Sequence, residues 1–330
     1  MATLNRELPY INAFGTVDIS NCKAVGDALC TAGLDWAVES KALYDENGQE
    51  YPKFRANVRT DNNNLLGITT DSYRIIQNVE AFDFVNALAD EGFEFDRAGQ
   101  FRNGAAIWLM GKLPQTQILG DDIDNNLVFI NSHDGSSGVK VMMTPVRVAC
   151  YNMLNLALKK ANRVWAAKHT RGIYNRIEEA KYTLGLANNY MTELDIEADF
   201  LANKKITDAQ LEAIFDAMFP IDKNKDSQRK INNISILKEN FFACYNEADI
   251  SKFKGTAWGA INAMADLVDH SDPVRNTADY YSNAWNKLIL GHPTLDTFCV
   301  TKLVLRISFS LSRVILWIFK DSNVGCIEVN

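Results

Sequence analysis

Several motifs that identify common enzyme classes are missing from this sequence. No pair of its six cysteines forms a CxxC, which disfavours a zinc ribbon or a thioredoxin-type site. The glycines form neither GxGxxG nor GxxxxGK[ST], which argues against a dinucleotide enzyme and an ATP-driven motor. No nucleophile elbow is present either. We therefore expect no cofactor, no metal ion and no catalytic residue.

Positive charge and long uncharged apolar runs are also scarce. The chain has 34 Lys and Arg against 41 Asp and Glu, a formal net charge of -7, so any contact with nucleic acid has to be confined to one local surface. The apolar stretch 300–319 is interrupted by Lys302, Arg306 and Arg313, which are expensive in a bilayer. The first residues lack a basic segment followed by an apolar run. We expect a cytoplasmic protein that does not associate with membranes.

Alternating apolar residues and turn signals dominate the first half of the chain. Asn47-Gly48 and Asn103-Gly104 are typical of tight hairpin turns. A helical pattern from Glu80 to Gly92 interrupts the strands, and Pro114 is expected to end one of them. Residues 121–124 read as an acidic loop. Extended segments are predicted at 36–44, 51–59, 65–69, 73–77, 93–101, 105–113, 127–132 and 139–143.

The second half is mostly helical. A helix is predicted to begin at the Cys-Tyr-Asn of residues 150–152, followed by a short strand containing Trp165. Thr207 is a predicted cap, and further helices are predicted at 209–219, 228–246, 257–270 and 278–290. The fold class is therefore α+β, an antiparallel β-meander domain with one inserted helix and a helical C-terminal half. The predicted regions are 1–170, 171–298 and an atypical apolar and basic tail, 299–330.

Motifs spread over most of the length carry a family resemblance. They are GLDW at 33–36, NVRTD at 57–61, YRIIQN at 73–78, SHDGS at 132–136, TPVRVACYN at 144–152, KHT at 168–170 and GTAWGAINA at 255–263. In this order they resemble the phage/plasmid-like protein family, filed as domain of unknown function number 932. The resemblance fades after about residue 298. It implies a mobile genetic element, a bacterial host cell and no established reaction.

Three of these motifs contain residues that could take part in chemistry. Cys150 beside Arg147, with His169 as base, could form a thiolate nucleophile. His133 and Asp134 could ligate a divalent ion, but the remaining histidines follow no matching spacing. We favour structural roles for His133, Asp134, Gly135, Cys150 and Asn152, with Asp134-Gly135 in a hairpin loop and Asn152 capping a helix.

The most basic part of this acidic chain follows residue 146. Cations can neutralise phosphates there, and an indole can stack on a base, which is the chemistry of sequence-tolerant single-strand binding. The alternative is an ordinary solvated helix face. The predicted contact residues are Arg147, Lys159, Lys160, Arg163, Trp165, Lys168, His169, Arg171 and Arg176.

These observations favour a non-enzymatic protein of phage or plasmid DNA metabolism. It would bind single-stranded DNA without sequence specificity and anneal strands, as a homo-oligomer, during recombination or replication. One alternative is an interaction protein that inhibits a host defence factor, with a host protein as its partner. A second alternative is a hydrolase or nuclease of unknown substrate.

Overall fold

The computed structural model describes residues 16–147, 152–153, 164–179, 182–247 and 249–270. The strands are β1 (Val17–Asp18), β2 (Val38–Tyr44), β3 (Glu50–Arg59), β4 (Leu65–Thr70), β5 (Glu94–Phe101), β6 (Ala106–Ile118), β7 (Asp121–Ser132), β8 (Val139–Arg147), β9 (Asn152–Met153) and β10 (Val164–Ala167). The helices are α1 (Val25–Thr31), α2 (Asn78–Phe82), α3 (Ile173–Glu179), α4 (Thr183–Asn203), α5 (Asp208–Met218), α6 (Gln228–Tyr245) and α7 (Ala257–His270). The predicted α+β class is confirmed.

The larger sheet has seven antiparallel strands in the order β1-β5-β6-β7-β8-β10, with β9 also paired to β8. Its centre is the long β6–β7 hairpin, which turns at Leu119 and Gly120, both with positive φ. This hairpin corrects two predictions. Residues 121–124 begin β7 instead of forming a loop, and β6 continues past Pro114 to Ile118. The register shifts between Leu113 and Thr116, and such a bulge accommodates a proline that cannot donate to the ladder.

The smaller sheet has three antiparallel strands in the order β2-β3-β4. Its hairpin turns at Asn47-Gly48 as predicted, with Gly48 at φ 81°. Segment 73–77 is not a strand, contrary to prediction, and it leads from β4 to α2. The two sheets touch where Asn57 of β3 donates from Nδ2 to the backbone oxygen of His133, 2.6 Å away. Residues 132–138 therefore lie at the junction of the sheets.

Helices cover the larger sheet. The predicted starts and ends of α5, α6 and α7 are confirmed to within a residue or two, and Thr207 forms a capping box with Gln210. The predicted 80–92 helix is instead a short α2 followed by a 3-10 helix, Asp83–Glu91, which ends at Gly92 in the left-handed region. The core is one continuous cluster that includes Phe129 of the sheet and Tyr190, Phe241 and Trp258 of the helices.

The prediction that a helix begins at residues 150–152 is wrong. Asn152 and Met153 form β9, whose residues pair with Arg147 and Val146 of β8. The backbone there is extended because it adds a strand to the sheet, so Asn152 does not cap a helix. The remainder of that prediction, the 278–290 helix and the 299–330 tail lie outside the described residues. Among the helices that are described, none combines the length and apolar character that crossing a membrane requires.

Candidate nucleic-acid interface

His133, at the end of β7, is fully buried beneath the junction of the two sheets. Its Nε2 lies 2.8 Å from Asn78 Oδ1. Since Asn78 Nδ2 donates to the backbone oxygens of Leu34 and Trp36, Oδ1 has to be the acceptor, so His133 Nε2 carries the proton. Burial, helped by the neighbouring His169, lowers the pKa of His133 to about 3. The ring is therefore a neutral part of the framework at physiological pH.

The loop after His133 is clamped by close contacts. A Cβ added to Gly67 of β4 would lie 2.5 Å from the Cα of Asp134, so no larger residue fits there without moving the loop. Asp134 forms an ion pair with Arg102 at 2.8 Å and also accepts a hydrogen bond from the backbone of Ser136. Gly135 has φ 76°, a conformation that favours glycine. These contacts give His133, Asp134 and Gly135 packing and turn roles.

His169 fixes the turn after β10 to the segment after β4. It is 5% exposed, and its Nδ1 donates to the backbone oxygen of Arg74 at 2.9 Å. Its ring stacks on Tyr73, with centroids 4.8 Å apart and planes 9° from parallel. The Tyr73 hydroxyl in turn donates to the backbone oxygen of Ser132. Burial lowers the pKa of His169, so this ring also favours its neutral form.

Two adjoining grooves open above this Tyr73–His169 stack. The first groove, of about 730 Å³, has two cationic side chains, Lys168 and Arg171, and no acidic side chain among the residues that line it. Its lining residues are Thr70, Ser72, Tyr73, Gly135, Ser136, Ser137, Gly138, Lys168, His169, Thr170, Arg171 and Gly172. The loop clamped by Gly67 therefore forms one wall of a positively charged groove.

The second groove, of about 610 Å³, shares Thr70, Tyr73 and Arg171 with the first. It adds the cations Arg55 and Arg74, one carboxylate, Asp71, and the ring of Tyr174. Arg55 also lies 3.3 Å from Glu50 across an exposed ion pair, which contributes little in water. Together the grooves present four cations and one lining carboxylate, on a chain whose net charge is -7.

The structure brings together some of the predicted contact residues. Lys168 and Arg171 are exposed in the grooves, and His169 lies in their wall. Trp165 on β10 is partly buried and packs against the core, opposite Val141 of β8. Arg147 ends β8 and Arg176 lies in α3. Some predicted residues lie outside the described part of the chain, namely Cys150, Lys159, Lys160 and Arg163. The backbone is described but the side chain is not at Arg147, Asn152 and Arg176.

Sequence reasoning missed three groove residues, Arg55, Arg74 and Tyr174. Arg74 stands alone in its segment, and Arg55, although Lys53 and Arg59 are near it, lies in a strand far along the chain from the basic run. Tyr174 lies between Arg171 and Arg176, but the sequence does not show that its ring faces a groove. One usable signal was strand alternation. Arg55 lies two residues before Asn57 and therefore on the same face of β3, which faces the larger sheet through the contact between Asn57 and His133.

The chain was compared with known proteins. None of the curated proteins and none of the solved structures matches it. The family model described as Domain of unknown function (DUF932) matches residues 65–288, which is more than half of the chain. The match contains Tyr73, the 132–138 loop and the turn at 168–172, the segments that build the first groove. The chain therefore belongs to the DUF932 family.

Proposed function

We propose that this protein binds single-stranded DNA, without sequence specificity, along the two grooves. The observation that carries the proposal is the set of four cations, Arg55, Arg74, Lys168 and Arg171, with one carboxylate in their lining. These cations attract a polyanion to the grooves, whereas the rest of the protein, whose net charge is -7, repels it.

The surroundings of the grooves support this assignment. Asp134 lies under the loop of the first groove, but its charge is balanced by Arg102 at 2.8 Å. Arg171 lies in the wall that the grooves share, Lys168 lies in the first groove, and Arg55 and Arg74 lie in the second, so a flexible chain of phosphates can contact both grooves in succession. In this proposal the protein acts in the DNA metabolism of a phage or plasmid in a bacterial cytoplasm, where replication and recombination expose single strands. Oligomers of the protein anneal these strands.

Titration of a labelled oligonucleotide at 50 and 200 mM salt tests the proposal. If all four cations contact phosphates, log K should fall against log salt with a slope of about -3, so binding should weaken by about 50-fold between these concentrations. The double substitution Lys168→Glu and Arg171→Glu should weaken binding at low salt by more than tenfold and should reduce the slope.

A matched control is available on the loop between α5 and α6. Lys223 and Lys225 are exposed and lie outside both grooves. Lys223→Glu with Lys225→Glu changes the net charge by the same amount and should alter binding much less. The proposal is wrong if the wild-type protein binds no oligonucleotide at low salt, or if both double variants weaken binding equally. A host protein recovered in stoichiometric amount without nucleic acid would instead favour the interaction alternative.

A further inference from the structure

Tyr174, on the first turn of α3, contributes an exposed aromatic ring to the second groove. The residue is 52% exposed, although tyrosine rings are usually more buried. Its hydroxyl donates a long hydrogen bond, 3.5 Å, to Glu80 Oε2. The same groove is lined by the guanidinium groups of Arg55, Arg74 and Arg171. A flat aromatic ring therefore lies among three arginines, a residue type suited to bind phosphate.

The other aromatic residues near the grooves are less suited to contact a base. Trp165, the residue that sequence reasoning favoured, packs against the core. Tyr73 lines both grooves, but His169 stacks on one of its faces and its hydroxyl is bonded to Ser132. Among the described residues that line the grooves, Tyr174 has the aromatic ring that is most open to solvent.

We propose that Tyr174 is a stacking platform for an unpaired base, and that it makes the grooves selective for single-stranded over double-stranded nucleic acid. This inference rests on the proposed function and specifies its ligand. With phosphates held by the surrounding arginines, the bases of a single strand are free to turn onto the tyrosine ring. In a duplex the bases are already paired and stacked, so the ring gains no partner. Stacking of this kind tolerates any base, because every base has a π face.

Binding measurements with three probes of about 20 nucleotides test the inference: an oligothymidine, an abasic strand with the same backbone, and a duplex. Tyr174→Ala should weaken oligothymidine binding about tenfold, because a stacked base is lost. It should leave abasic-strand binding and the salt slope unchanged, because no phosphate contact is removed. Tyr174→Phe keeps the ring and should bind within about twofold of wild type. Tyr182→Ala, at an 80% exposed tyrosine outside the grooves, is the matched control and should have no effect.

Photocrosslinking gives a measurement on the unaltered protein. An oligonucleotide carrying 5-bromodeoxyuridine should crosslink to Tyr174 on irradiation, with the peptide identified by mass spectrometry. Failure to crosslink there, or equal affinity of the wild type for the oligothymidine and the abasic strand, would overturn the inference.

The binding outcomes separate this inference from the proposed function. If Tyr174→Ala binds oligothymidine as wild type does, while Lys168→Glu with Arg171→Glu still weakens binding, stacking on Tyr174 is refuted and the phosphate-binding proposal stands. If the wild type binds none of the three probes, the proposed function fails and the inference fails with it.

Discussion

Acidification from pH 7.5 to 5.0 should destabilise the fold through His133. Burial lowers the pKa of this side chain from 6.5 to about 3 in the folded protein. At pH 5.0 its ring is therefore protonated in about 97% of unfolded molecules but in only about 1% of folded ones, since the unfolded pKa is near 6.5.

The sign and size of the effect follow from this difference. Because the unfolded state binds the extra proton, stability falls as the pH falls below 6.5, and the loss continues until the folded pKa near 3 is reached. Between pH 7.5 and 5.0 the loss from His133 alone is about 2 kcal/mol. The lowered pKa of His169 acts in the same direction, whereas the raised pKa of the partly buried Asp96 acts in the opposite direction.

Urea unfolding at both pH values, with wild type and His133→Gln, measures the contribution. Glutamine keeps an N–H donor for Asn78 but cannot titrate. The variant protein will have a different absolute stability, and its loss of stability between pH 7.5 and 5.0 should be smaller than that of the wild type by about 2 kcal/mol. Asp96 is present in both proteins, so its contribution cancels in the comparison. Equal losses of stability by the two proteins over this pH range would refute the argument that His133 is held neutral.

Three further predictions concern packing and are checked by urea unfolding. Asn57→Ala removes the donor to the buried carbonyl at the sheet junction and should reduce stability by about 1–3 kcal/mol. Gly67→Ala should cost about 1–3 kcal/mol through overpacking against the 132–138 loop and should also weaken oligonucleotide binding, whereas Gly26→Ala, with nothing within 4 Å, should be neutral or stabilising. Thr207→Ala should cost about 1 kcal/mol because it removes the α5 cap, and should leave binding unchanged. An unchanged Gly67→Ala protein would contradict the tight contact.

Local features of the fold could be predicted from the sequence. Asn47-Gly48 marks a hairpin because the turn is held by neighbours in sequence, with Asp45 accepting from the backbone of Asn47 and Gln49. Thr207 with Gln210 marks the start of α5 because that cap is equally local. The continuation of β6 past Pro114 could not be predicted in this way. It depends on Asn125, eleven positions along the chain, whose Nδ2 donates to the Pro114 oxygen.

The candidate site was predicted only in part, because it is assembled from distant segments. Lys168 and Arg171 belong to a basic run that is visible in the sequence. Arg55 and Arg74 lie about a hundred residues earlier, and they meet Arg171 only when β3, the segment after β4 and the turn after β10 fold together. The partial burial of Trp165 likewise depends on what packs on β10, which its neighbours in sequence do not reveal.

The position of β4 affects the choice of boundaries for a truncated form of this protein. The family match begins at residue 65, the first residue of β4, and leaves β2 and β3 outside. In the small sheet, β4 is hydrogen-bonded to β3 alone. A polypeptide cut at the family boundary would therefore expose an unpaired strand, which invites aggregation, and would lose both Asn57 and Arg55. The limits of the family match therefore do not coincide with those of the sheets, and a shortened chain has to start upstream of β1, which pairs with β5.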